Sequence, residues 1–306
     1  MTIFSTSTSA FFERTRSGMT ALRLQAESLQ QQIGSGERLS KSSDDPVAAS
    51  RLRTLARADS LTRIDTANAE RAASDLALTD TALAAFAETI ARARELAIQA
   101  GNDTLTPAQR AAIGTELEQI HGHLVSLANA RDSSGHALFG GEAAGDAYAL
   151  DGMGNAVYTG TGSAAELSLG DGQSVVRGLT GPEFLDFDPG TGPTDTFAVI
   201  RDLALALTGA SADPAQLARD ALGALTGALD AVTTSQTVVG TRLAWIDFVT
   251  ERHQQLGEMR AAEQADLGGT DIAETVARLQ QAMLVLEASQ ASFARLASLS
   301  LFERLN

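Results

Sequence analysis

Residues 271–306 read DIAETVARLQQAMLVLEASQASFARLASLSLFERLN. Within them Ile272, Val276, Leu279, Met283, Leu286, Phe293, Leu296 and Leu301 recur mostly at three- and four-residue steps, which puts them on one side of a helix. Such a stripe needs a covering surface. Near the other end Phe11, Leu22, Leu29 and Ile33 keep the same kind of period, and they supply that cover if the two ends lie antiparallel. The expected fold is mainly α: a long antiparallel helical-bundle or coiled-coil rod built from both chain ends, with a small β-rich domain inserted mid-chain.

Working inward, residues 8–34 read as a first helix closed by Gly34-Ser35-Gly36. Asp45-Pro46 restarts helix, because an N-cap carboxylate accepts from orphan amides and proline needs no donor at the first helical position. Leu52, Leu55, Ile64, Leu76, Leu83, Phe86 and Ile90 continue that second pattern to Gly101-Asn102. Thr106-Pro107-Ala108-Gln109 has the form of a capping box. It opens a third helix with the seam Ile113, Leu117, Ile120, Leu124 and Leu127, expected to pack antiparallel on the second. Asp213-Pro214 starts the return leg, with Leu222, Leu225, Leu229, Val232, Val239, Leu243 and Ile246. Gly268-Gly269 predicts a hinge, after which Asp271 and Glu274 recap the last helix.

From Gly140 to Gly192 helical periodicity disappears. Short apolar pieces, AYAL, AVY and SVV, are separated by Asp151-Gly152 and Asp171-Gly172, which predicts a small domain of hairpins. Its carboxylates, from Glu142 to Asp188, face a single arginine, Arg177, a balance suited to solvent exposure. The expected domains are therefore 1–45 with 266–306 as inner arms, 46–139 with 193–265 as the rod, and 140–192 as the outer insert.

Composition narrows the function. With 44% hydrophobic but only 5% aromatic residues, the core must be built from Ala, Leu, Ile and Val, as in helical bundles. The net charge of −15, with Lys41 the sole lysine, excludes a phosphate-binding surface, so no nucleic-acid partner is expected. No apolar run approaches the roughly 20 residues of a membrane span. The opening MTIFSTSTSAFFERTRSG lacks the basic-then-apolar layout of a cleaved signal peptide. Zero cysteines exclude disulfides and thiolate chemistry.

No catalytic residue, cofactor site or metal site is expected. His121 and His123 stand two apart and point to different sides of a helix, whereas a metal-binding pair wants a four-residue step. Gly170-Asp171-Gly172 lacks the third glycine of a dinucleotide fingerprint, and Asp151, Asn155, Asp186 and Asp188 do not complete a calcium loop. Tyr148 and Tyr158 are the only tyrosines available for stacking a sugar, so an adhesin or glycan-binding reading of the insert has little to stand on. The terminal stripes carry the functional expectation instead. Burial of eight apolar side chains falls short of the cost of ordering a helix of that length, so the ends should be loose alone and order when neighbouring subunits cover them.

Several motifs carry a resemblance to a known family. Ser35-Gly36-Glu37-Arg38-Leu39, followed by Ser43-Asp44-Asp45-Pro46-Val47-Ala48-Ala49-Ser50-Arg51, resembles the N-terminal signature of the flagellin superfamily, in the SDDP form of its hook-filament junction members. Leu127-Ala128-Asn129, Asp132-Ser133-Ser134-Gly135 and Leu138-Phe139-Gly140-Gly141 resemble the stretch before the outer domain of those members. Val239-Gly240-Thr241-Arg242-Leu243 and Ser298-Leu299-Ser300-Leu301-Phe302 look like their returning helix and closing motif. Arg94-Glu95-Leu96-Ala97-Ile98-Gln99-Ala100 is equally close to filament flagellins, which keeps a filament-forming flagellin as the alternative.

The resemblance implies a structural, non-catalytic subunit of the extracellular bacterial flagellum that joins hook to filament. It implies self-association in a ring through the terminal helices, contacts with a neighbouring hook-associated protein and with flagellin, and export unfolded through the flagellar type III apparatus. An export chaperone would hold the C-terminal helix. Arg38, Asp44, Asp45 and Pro46 would fix the arm-to-rod turn.

Overall fold

The computed structural model describes the backbone of residues 3–302 except 133, 191 and 210, and the side chains of residues 10–295 with the same exceptions. Seven helices are described: α1 (Ile3–Ser35), α2 (Pro46–Ala100), α3 (Pro107–Ala128), α4 (Gly181–Leu185), α5 (Thr196–Thr208), α6 (Pro214–Gly268) and α7 (Ile272–Phe302). Six short strands lie between α3 and α5: β1 (Tyr148–Leu150), β2 (Ala156–Tyr158), β3 (Glu166–Gly170), β4 (Gln173–Val176), β5 (Asp186–Phe187) and β6 (Thr194–Asp195). They form three antiparallel pairs, β1-β2, β3-β4 and β5-β6. The fold is thus mainly α with a β-rich insert.

The starts of the helices follow from their caps. Asp45 accepts from the Ala48 amide at 3.0 Å ahead of Pro46, and Asp213 accepts from Gln216 at 2.9 Å ahead of Pro214. Thr106 and Gln109 close a reciprocal capping box, so two orphan donors are satisfied at once. The tight β3-β4 turn places Asp171 at φ 52 and Gly172 at φ 74, the positive-φ pair that a two-residue hairpin demands and Asp-Gly supplies.

The chain divides into two compact units. The first comprises the residues up to Ser60 with those from Leu256 onward, the second Leu61–Gln255. Both joints fall inside α2 and α6.

In the second unit the core is aromatic at its centre despite the low aromatic content. Phe86 of α2 meets Phe184 of α4 at 5.1 Å and Phe139 at 6.0 Å between ring centroids, and Phe139 lies 4.8 Å from Phe184. Tyr148 packs on Phe197 at 5.0 Å. The insert is therefore anchored to the helices by ring packing. Leu76, Leu83, Ile90, Leu117, Leu124, Leu225, Val232, Val239 and Ile246 extend this core along α2, α3 and α6. The Arg92–Glu116 pair, 2.7 Å, ties α2 to α3, and Arg110 donates to the carbonyls of Ala100 and Asn102 at their turn.

Several motif residues between α3 and β1 have visible roles. The Asn129 amide exchanges two hydrogen bonds with the Tyr148 backbone, 2.8 and 2.9 Å, so it acts as one more strand residue. Asp132 accepts from the Ser134 and His136 amides, and Ser133 lies outside the described residues. A Cβ at Gly141, φ 67, would collide with Thr161.

Four expectations are corrected. The first helix is longer than 8–34, running through Gly34 to Ser35, since a helical glycine only lowers stability and does not force a break. Gly268 closes α6, and the interruption is confined to Gly269–Asp271. Ile64 lies off the α2 seam and is 59% exposed. The insert also contains the helix α4, which the β reading passed over.

Candidate assembly site

In the first unit α1 and α7 pack on each other, and the pairing is a heptad seam. On α1 the covered positions are Phe12, Thr15, Met19, Leu22, Ala26, Leu29 and Ile33, alternating by three and four. On α7 they are Thr275, Leu279, Ala282, Leu286, Ser289 and Phe293, with Val276 beside them. Phe12 meets Phe293 edge to face at 5.3 Å, which fixes the antiparallel sense, because the start of α1 then lies by the end of α7. Ala26, Leu29 and Ala282 are buried. Small residues at the centre let the backbones approach, as knobs-into-holes packing requires.

The predicted assembly residues therefore divide. Leu22, Leu29, Ile33, Val276, Leu279, Leu286 and Phe293 face the seam inside one chain. Ile272 and Met283 are more than half exposed, as are Leu284 and Leu24. Leu296 and Leu301 lie outside the residues whose side chains are described. Phe12, Thr15, Met19, Ala26, Thr275, Ala282 and Ser289 were missed by the sequence reading, although carrying the three-four alternation through every position recovers them.

The turns at the inner ends of α1 and α7 form one joint. Thr270 donates its amide to the Gly36 carbonyl at 3.0 Å and Arg38 donates to Gly268 at 2.8 Å, so Glu37 and Gly269 make a short antiparallel bridge. Gly36 reaches this path with φ 72, a conformation that favours glycine. The Arg38 guanidinium donates to the Leu267 carbonyl at 2.8 Å and to Asp45 at 3.3 Å, and Gln32 donates to the Arg38 carbonyl at 3.0 Å.

Two carboxylates hold the rest of the turn. Asp44 accepts from the Lys41 amide at 2.8 Å and from the Ser40 amide and hydroxyl. The Lys41 amide is the chief reason its carboxyl sits below the usual carboxylate range. Asp45 is held low as well, first by the Ala48 amide and then by Arg38. Pro46 follows as the first residue of α2. Farther along, Arg51 grips Glu263 with two hydrogen bonds, the fork geometry suited to a carboxylate. Arg38, Asp44, Asp45 and Pro46 thus converge on one place. The backbone carbonyls of Leu267 and Gly268, invisible to a side-chain reading, complete it.

Elsewhere the geometry offers little to chemistry. His121 is half-buried with its ring edge on Phe197, 6.0 Å, and burial first, then Arg201, pulls its pKa down. Tyr148 is 5% exposed, and the Tyr158 hydroxyl donates to the carbonyls of Phe139 and Thr161. The Tyr148 ring is thus buried, and the Tyr158 ring lies against it at 5.2 Å between centroids. Among the described residues no group of three or more His, Asp or Glu side chains is placed to hold a metal, and no helix is long and apolar enough to cross a membrane.

A seam closed by both chain ends, a hydrogen-bonded joint and a β-rich insert define a class. Residues 6–144 match the bacterial flagellin N-terminal helical region. More particularly, the chain is similar over nearly its whole length to flagellar hook-associated protein 3. It is 25% identical to that protein from Escherichia coli over 97% of this chain and 98% of the relative. It is 26% identical to the Salmonella typhimurium protein over the same shares. Solved structures share the fold. The putative flagellar hook-associated protein from Vibrio parahaemolyticus superposes with a TM-score of 0.67 at 24% identity, over 74% of this chain and all of that one. The flagellar junction protein FlgL of Legionella pneumophila gives 0.60 at 16% identity, over 72% of this chain and all of that one.

Proposed function

We propose that this chain is a structural subunit of the bacterial flagellum that joins hook to filament without catalysis. One observation carries the reading: the likeness to hook-associated protein 3 runs through nearly the whole of both sequences, so it takes in the terminal seam and the joint together. The seam aligns α1 and α7, and the exposed apolar residues left over, Ile272, Met283, Leu284 and Leu24, are the surface that sibling subunits cover in a ring. Contacts with a neighbouring hook-associated protein and with flagellin, export of the unfolded chain, and a chaperone on α7 before assembly complete the proposal. An exposed apolar helix face is a liability until it is covered.

The test removes residues 271–306. Cells carrying the truncated chain should keep their hooks, lose their filaments and shed flagellin into the medium. Filaments still attached to hooks would end the proposal. The filament-forming alternative, from which Arg94–Ala100 does not separate the junction reading, is tested by adding purified protein to short filament seeds. A flagellin elongates them without limit, whereas a junction subunit does not.

A further inference from the structure

On α6 two stripes run side by side. Ser235, Val239, Ile246, Val249 and His253 are buried against the core. Val238, Thr241, Trp245 and Phe248 keep the same three-four alternation but are exposed, Trp245 by 40% and Phe248 by 56%. The chain's one tryptophan is stacked on Phe248, with ring centroids 5.6 Å apart and planes 25° from parallel. Asp247 and Glu251 stand exposed beside this pair. On α2, Arg53, Arg57, Leu61 and Ile64 recur at four, four and three residues, all exposed, Leu61 by 54% and Ile64 by 59%.

Most arginines near these stripes are already engaged, Arg51 with Glu263 and Arg252 with Asp171. None of Arg53, Arg57, Asp247 and Glu251 enters an ion pair among the described residues. The two stripes are thus each apolar, each uncovered, and opposite in charge.

We infer that the Trp245–Phe248 face of α6 docks on the Leu61–Ile64 stripe of α2 in a second copy of this chain. The inference rests on reading the chain as a self-assembling subunit, and adds a lateral contact distinct from the terminal helices. Charge complementarity selects the occupant. The acidic face meeting its own copy would set Asp247 and Glu251 against like charges, whereas the basic stripe neutralises them. Two different surfaces meeting make a head-to-tail contact, which repeats from subunit to subunit and closes into a ring when the rotation allows. An aromatic pair at the centre of the contact, with charges at its rim, is the arrangement that concentrates binding energy.

The absence of native cysteine makes the test direct. Full-length Ile64→Cys and Phe248→Cys chains are produced together in cells lacking the native protein, and the isolated flagella are treated with a short bis-maleimide. A cross-linked dimer containing one of each is expected, with none from flagella holding either variant alone. Arg57→Glu should cut the dimer yield at least severalfold, and Glu251→Arg in the other chain should restore it. Thr241→Cys, also exposed, replaces Phe248→Cys if that variant misfolds. A variant that folds by circular dichroism yet is excluded from the flagellum counts for the contact only where Arg57→Glu is excluded as well and Glu251→Arg in the other chain restores it, and counts against the contact otherwise. Incorporation of both variants without a mixed dimer overturns the contact and leaves the junction function intact, as does self-cross-linking of a single variant. Absence of the native chain from flagella overturns the function itself, and the contact with it.

Discussion

At the scale of single residues, the joint depends on two carboxylates that stay ionised. Asp44 and Asp45 both titrate below the ordinary carboxylate value in the folded chain. Their contribution is therefore complete above a pH of about 4, where the unfolded chain has also ionised, and is lost as pH falls through their lower folded values. Amide resonances of Lys41 and Ala48, the donors to these groups, should hold steady from neutral pH down to about 4 and move below it. Asp44→Asn should remove the Lys41 response and leave that of Ala48, and Asp45→Asn should do the converse. A Lys41 shift centred near neutral pH would show that some other group governs the turn. The Asp-Asp-Pro motif was legible from cap chemistry alone. Its partners were not, because Arg38 reaches the carbonyls of Leu267 and Gly268, both remote in sequence.

At the scale of elements, close approach decides what the helices tolerate. A Cβ at Gly114 of α3 would lie 2.7 Å from the Thr208 methyl and 3.0 Å from the Ala204 carbonyl oxygen of α5. Gly122, two turns on, faces open space. Gly114→Ala should therefore destabilise the protein by about 1–3 kcal/mol through overpacking. Gly122→Ala should stabilise it by about 0.5–1 kcal/mol through helix propensity. Denaturant midpoints of the two variants check both signs, and equal shifts would contradict the α3–α5 packing. Periodicity foresaw α3 itself through Leu117, Ile120 and Leu124, which are buried as expected. It could not foresee that α5 would press on Gly114, because a seam reports which face is covered and not by what. The same limit explains Ile64 and Trp245: apolar residues at helical spacing mark a stripe whether the cover is this chain or another. The helix α4 was missed for a different reason. Its Thr180-Gly181-Pro182-Glu183 start has the form of a capping box, with the Thr180 amide donating to the Glu183 carboxylate at 3.4 Å, but five residues are too few to show a period.

For the molecule as a whole, the two compact units differ in what holds them. The second has four phenylalanines among its fully buried side chains, Phe86, Phe139, Phe184 and Phe197. They join helices to insert with contacts distant in sequence. In the first, α1 and α7 are held by one seam whose buried residues are Ala26, Leu29, Thr275 and Ala282, supported by exposed ion pairs such as Arg23–Glu27 and Arg278–Glu274 that contribute little. Local opening follows buried apolar contact. In dilute monomer, amide hydrogens of α1 and α7 should exchange at least about a hundredfold faster than those of α3 and the middle of α2, a gap of roughly 2.7 kcal/mol in opening free energy. The same amides should become protected in isolated hook-junction complexes, where siblings cover Ile272, Met283 and Leu284. Because α2 and α6 pass through both units, their protection should fall across Ser60–Leu61 and Gln255–Leu256 in the monomer and not at Asp45–Pro46. Firm protection of α1 and α7 in the monomer, equal to that of the second unit, would mean that the terminal seam is complete on its own. Assembly would then have to act through the exposed faces alone, leaving the seam as a rigid strut.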